Sequence, residues 1–121
     1  MAFLFRDLQV YKLANEFVGI AHSLAKEFSS HNGAGLANQL RRASQSIPAN
    51  IAEGYGRWHT NDKMQFYRFA AGSLNECVAH LDSALRKDLI AADRHAHLCE
   101  GLERIARMLH QLMNAISKRS F

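Results

Sequence analysis

The amino-acid sequence predicts an all-α fold, an antiparallel up-down-up-down four-helix bundle with a kinked second helix. Three observations predict it. Four segments carry apolar residues at alternating steps of four and three, the spacing of one helix face. The breaks between them are short, so consecutive helices run antiparallel. Seven glycines and one proline in 121 residues are too few for a sandwich or barrel, which needs a turn signal about every 8–12 residues.

The first helix is expected over Asp7 to Phe28, with Asp7 as N-cap and a stripe of Val10, Ala14, Phe17, Ala21, Leu24 and Phe28. The run Ser29-Ser30-His31-Asn32-Gly33-Ala34-Gly35 breaks it, because these residues favour turns. The second helix begins near Gly35 or Leu36 and buries Leu36, Leu40, Ala43, Ile47, Ile51 and Gly54. Pro48 lies inside that pattern. Its ring crowds the carbonyl of Ser44 and removes one donor, so a kink is expected rather than an end. Gly54-Tyr55-Gly56 is read as the stop, a glycine taking the left-handed cap conformation.

The third helix follows a cap at Thr60 or Asn61 and runs to about Lys87, with Tyr67, Ala71, Leu74, Val78, Leu81 and Leu85 on its stripe. The fourth runs from about Asp93 to Lys118 on Leu98, Leu102, Ile105, Leu109, Leu112 and Ile116. A 3.5-residue period imposes left-handed, shallow-angle packing. The whole chain, residues 1–121, is expected to be one domain.

Composition narrows function. A hydrophobic fraction of 48% with 21% charged residues excludes disorder. No apolar run is long enough to span a bilayer, and Met-Ala-Phe-Leu-Phe-Arg-Asp lacks the basic and apolar regions of a signal peptide. A cytoplasmic location is the expectation. The two cysteines, Cys77 and Cys99, fall inside helical patterns and read as small hydrophobes. The charge is unevenly placed. Residues 38–68 carry five basic and two acidic side chains, whereas 69–103 carry three basic and six acidic ones. Residues 104–121 carry four basic side chains and no acidic one, and a basic middle and tail suit a polyanion partner.

Enzymatic chemistry is not expected. No nucleophile has a recognisable base partner, and no Gly-rich phosphate loop follows a strand. Among seven histidines, the densest group is His95-Ala96-His97-Leu98-Cys99, where neighbours two apart lie about 200° around a helix and cannot share an ion. Neither a metal nor a cofactor is expected. Glu53 and Glu76, one carboxylate from each of two helices, fall short of a di-iron site.

Two features exceed what a bare bundle needs. Gln39, Arg42, Ser46, Asn50, Glu53 and Arg57 form a polar line beside the second helix's stripe. It is either a solvated flank or a hydrogen-bonded network, with Ser73 and Glu76 of the third helix as candidate members. The third helix, moreover, opens apolar nearly all round, since Phe66, Tyr67, Phe69, Ala70, Ala71 and Leu74 cannot face one core. Another copy of the chain is the expected cover, which places Phe66 and Phe69 at a homo-oligomer interface; the alternative is a single exposed phenylalanine, which is ordinary on a protein surface. Arg41, Arg42, Arg57, Lys63 and Arg68, with Trp58 beside them, are the candidate nucleic-acid-binding residues. Cations interleaved with an exposed aromatic suit phosphate contact and base stacking. The competing reading pairs Arg42 and Arg57 with Glu53 and packs Trp58 into a core or an interface.

Three blocks carry a family resemblance: Phe5-Arg-Asp-Leu-Gln-Val-Tyr-Lys-Leu-Ala14, Gln39-Leu-Arg-Arg-Ala-Ser-Gln-Ser-Ile-Pro-Ala-Asn-Ile-Ala-Glu-Gly-Tyr-Gly-Arg57, and Phe66-Tyr-Arg-Phe-Ala-Ala-Gly-Ser-Leu-Asn-Glu76. They resemble the small proteins encoded by intervening sequences in bacterial 23S ribosomal RNA genes. The resemblance implies a four-helix bundle, a ring-like homopentamer and a nucleic-acid-binding, ribosome-associated role. It also implies a distant similarity to the accessory variability proteins of retroelements, which bind RNA and a reverse transcriptase. Arg41, Arg42, Ser46, Asn50, Glu53, Gly54, Arg57, Ser73 and Glu76 carry over as signature positions. The Ser29–Gly35 loop departs from the Pro-Glu-like turn of relatives. A non-catalytic RNA-binding oligomer is the leading expectation. The alternative is a protein-interaction scaffold that presents helices to a partner such as a reverse transcriptase.

Overall fold

Each apolar stripe closes on the others in a computed structural model that describes residues 3–118. A short 3-10 turn, Leu4–Asp7, leads into α1 (Gln9–Ser29), α2 (Ala34–Gly56), α3 (Thr60–Arg86) and α4 (Ala92–Lys118). The fold is an all-α four-helix bundle, with no strand among the described residues. Arg119, counted with the basic C-terminal stretch, lies outside them. No helix among them is long and apolar enough to cross a membrane.

The helices follow one another around the bundle. α2 packs along both α1 and α3, and α4 lies on α3. α1 and α4 meet only over a short stretch. Their seam forms an apolar groove lined by Leu13, Phe17, Ile20, Leu98, Gly101 and Ile105.

The stripe of α1 is buried throughout, as is that of α2. In α4, Leu98, Leu102, Ile105 and Leu109 are buried, while Leu112 and Ile116 are half-buried near its end. α3 departs from expectation. Its buried face is Tyr67, Ala70, Leu74, Cys77, Leu81 and Ala84, and Ala71, Val78 and Leu85 are only half-buried. The helix is rotated by about one residue at these three places, so the small Ala70, Cys77 and Ala84 face the core in place of Ala71, Val78 and Leu85. Cys77 is fully buried and Cys99 half-buried.

Helix ends also differ from expectation. Leu8, not Asp7, precedes α1, and His59, not Thr60 or Asn61, precedes α3; neither makes a side-chain capping bond. α2 runs through Pro48 as one helix, the ring buried against the core. Ser44 turns its hydroxyl back onto the Arg41 carbonyl at 3.0 Å, which satisfies a polar group that is otherwise buried. α3 ends in a Schellman closure. Leu89 N–H donates to the Ala84 carbonyl at 2.9 Å and Asp88 N–H to Leu85 at 3.1 Å, with Asp88 in the left-handed region at φ 58°. Asn32 takes the same conformation after α1, at φ 65°, so asparagine rather than glycine makes that turn. Gly33 is required for a different reason. A Cβ there would lie 2.7 Å from the Phe28 carbonyl oxygen.

Burial leaves a titration signature. Desolvation, aided by Tyr55, pushes the Tyr67 hydroxyl from 10.0 up to about 12. Desolvation, aided by Glu76, pushes the Cys77 thiol from 9.0 up to about 12. Below pH 9 both groups are protonated in the folded and the unfolded chain, and their contribution to stability is whole. Above that, the unfolded chain sheds protons that the folded chain keeps until about pH 12. Stability therefore falls with rising pH, by about 1.4 kcal/mol per pH unit for each retained proton. Cys99 shifts in the same direction, whereas burial lowers the Lys63 pKa, which acts in the opposite sense below 10.5. Urea midpoints should be level up to about pH 9 and then decline. Tyr67→Phe should make that decline shallower, and an unchanged slope would refute the assignment.

Candidate nucleic-acid interface

Arg57, Trp58 and Lys63 gather where α2 ends and α3 begins, whereas Arg41 and Arg42 lie in the first half of α2 and Arg68 more than two turns into α3; the geometry at the corner rests on Lys63. It lies in the first turn of α3, next to unpaired N–H groups, where a cation is ordinarily unfavourable. Its ammonium reaches back instead and donates to the carbonyls of Tyr55 at 2.7 Å and Gly54 at 3.3 Å. Both carbonyls belong to the last turn of α2, where intrahelical partners run out, and that of Gly54 also accepts the Arg57 N–H at 3.2 Å. The stop expected from a left-handed glycine is thus made by a lysine: no glycine among the described residues has positive φ. Lys63 is engaged in closing a helix, and burial lowers its pKa.

Arg57 is also engaged. Its guanidinium donates to Glu53 Oε1 at 2.6 Å and lies 4.6 Å from the centroid of the Phe66 ring. Glu53 thus pairs with Arg57 one turn on, as the competing reading held, while Arg42 takes no part. Phe66 meets Phe69 edge to face at 5.8 Å, and Phe69 remains 48% exposed. Trp58 stands on the connecting segment at 90% exposure, so it packs in no core of its own chain. Of the other cations, Arg41 is half-buried and donates to Asn38 Oδ1 at 2.9 Å, while Arg42 and Arg68 are exposed. In antiparallel register from the Ser46–Ser73 pair, Arg68 stands level with about residue 51, roughly 14 Å along the axis from Arg42.

The polar line divides. Ser73 donates to Ser46 Oγ at 2.8 Å across the α2–α3 seam, and Asn50 Nδ2 donates to Ser46 Oγ at 2.9 Å and to its carbonyl at 2.8 Å. Gln39, Glu53 and Glu76 stand outside this cluster. Gln39 is exposed. Glu53 and Glu76 are drawn outward by partners one turn along their own helices, Arg57 and His80, the latter at 3.3 Å. With both carboxylates exposed, no paired acid layer forms in the core.

The arrangement defines a class, a helical bundle whose α2–α3 corner presents aromatic rings beside arginines. Residues 6–111 match the 23S rRNA-intervening sequence proteins, and the chain belongs to that family. A crystal structure of a protein of unknown function from the S23 ribosomal protein family of Bacteroides thetaiotaomicron has the same fold. Its TM-score is 0.82 at 21% identity, over 86% of this chain and 97% of that one. No curated protein matches.

Proposed function

We propose that this protein is a non-catalytic, cytoplasmic homo-oligomer that binds structured RNA through a basic surface repeated by its symmetry. The observation that carries the reading is the α2–α3 corner. Three of the exposed large apolar side chains, Trp58 at 90%, Phe69 at 48% and Tyr55 at 36%, fall on the end of α2, the connecting segment and the first turns of α3, and exposed apolar side chains that share a region mark an interaction face. Lys63 and Arg57 are bound internally, so that corner supplies contact area; Arg41 is held on Asn38, and the phosphate contacts fall first to the exposed Arg42 and Arg68. Assembly into a ring, pentameric in the family it belongs to by resemblance, would multiply a weak cationic site.

The test couples assembly to binding. Light scattering at micromolar concentration should show an oligomer that Trp58→Ser and Phe69→Ser shift toward the 13.6 kDa chain. With fragments of 23S ribosomal RNA as probe, log affinity should fall linearly with log salt. Arg42→Gln and Arg68→Gln should each reduce the slope by about one. A lone monomer, or a salt-insensitive interaction, overturns the reading. A pull-down of a reverse transcriptase or other protein that survives nuclease would favour the scaffold instead.

A further inference from the structure

Outside the α2–α3 corner, one cluster of chemically active side chains belongs to no role described so far. Asp82 lies near the end of α3, and His95 and Cys99 occupy one face of the first turns of α4. The carboxylate, imidazole and thiol offer one donor atom each within 4.8 Å of one another. His95 Nε2 lies 2.8 Å from Asp82 Oδ1 and 3.6 Å from Cys99 Sγ. His95 and Cys99 are half-buried in the α3–α4 seam, whereas Asp82 is exposed.

Two chemistries could use such a trio. In a nucleophilic relay the imidazole takes the thiol proton on one nitrogen and is held by the carboxylate on the other. Here carboxylate and thiol both face Nε2, so no proton can pass across the ring between them. Three donors converging on one point is instead the arrangement a cation requires. A tetrahedral zinc ion with bonds of about 2.3 Å to sulfur and 2.05 Å to nitrogen holds those two ligands about 3.6 Å apart, which is the separation present. The carboxylate sits a few tenths of an ångström too close for a shared ion. As an exposed side chain, it can withdraw by a rotamer adjustment.

We propose that Asp82, His95 and Cys99 form a binding site for a divalent transition-metal ion, zinc by preference, that ties α4 to α3. Thiolate and imidazole are borderline-soft donors that suit zinc or cobalt, whereas magnesium and calcium take oxygen ligands. On binding, the thiol releases its proton to water, the sulfur–metal bond forms, and a water molecule fills the fourth position. Because the thiol gives up its proton when the metal binds, affinity rises with pH. The tie is placed where it has most effect. α4 leans on α3 and touches α1 only briefly, and its first turn meets α1 through the exposed Arg94–Glu27 ion pair at 3.1 Å, so a metal tie would add to a light anchorage.

The whole chain, stripped of metal with chelator, is titrated with Co2+ and then with Zn2+. One Co2+ per chain should bind with a thiolate-to-cobalt charge-transfer absorption, which zinc abolishes. Cys99→Ser should remove that absorption, and Asp82→Asn should weaken Co2+ binding by about tenfold or more. His97→Gln, on the same helix but outside the trio, should leave both unchanged. Zinc should raise the melting temperature of the wild-type chain and raise that of Asp82→Asn, an exposed change that leaves the core intact, by clearly less at the same zinc concentration. Absence of the charge-transfer band, its persistence in Cys99→Ser, or equal affinity in Asp82→Asn overturns the proposal.

Discussion

Gly54→Ala is expected to destabilise the bundle by about 1–3 kcal/mol, although alanine is the better helix former by about 1 kcal/mol. The reason is the closeness of α2 to α3 at this point. A Cβ on Gly54 would lie 2.7 and 2.9 Å from two carbons of the Tyr67 ring and 3.2 Å from the Lys63 carbonyl oxygen. The ring is fully buried and the carbonyl belongs to a helix, so neither can step aside cheaply. The helices must separate, and separation stretches the bonds from Lys63 to the Gly54 and Tyr55 carbonyls. Gly72 supplies the contrast: it is an exposed position within α3 where a Cβ meets nothing within 4 Å. Urea unfolding should show Gly72→Ala neutral or stabilising and Gly54→Ala destabilising. Tyr67→Leu should recover part of the loss in the double variant. Equal effects of the two alanines would refute the close approach.

Leu102→Ala should cost about 2–5 kcal/mol, and the loss should be felt unevenly. Leu102 is fully buried on a helix whose main support is α3. Truncation there removes apolar contact that α1 cannot replace, because the α1–α4 seam is already open along Leu13, Phe17 and Ile20. Hydrogen exchange should therefore accelerate first in α4 and only later in the α1–α2–α3 body. Uniform acceleration across all four helices would show instead that α4 unfolds only with the whole.

How much of this was legible in the sequence depends on how many neighbours each residue has. α1 and α2 bury the stripes read from spacing, and α4 does so through Leu109. α3 turns its face toward Ala70, Cys77 and Ala84, because at each of these places an equally or more apolar neighbour one residue on (Ala71, Val78, Leu85) draws the stripe past the residue that is buried. The polar contact between Ser46 and Ser73 was legible because both lie on the edges of facing helices. Glu53 and Glu76 were misplaced because Arg57 and His80, one turn away on the same helix, compete for them more locally. The sequence offers Lys63 as a phosphate ligand, whereas its partners are carbonyls eight and nine residues back, a reach that only the α2–α3 turn defines. His95 and Cys99 are likewise one helical turn apart, but their third companion comes from the preceding helix, and no spacing rule within one segment contains it.

The lysine that closes α2 has a consequence for recognition. With the end of one helix fastened to the start of the next, Trp58 stands on a stiff elbow rather than a swinging loop. A protein or nucleic-acid surface that meets this indole has little chain freedom left to quench, so more of the contact energy is retained as affinity. Loosening the fastening would then weaken association without altering a single atom that touches the partner.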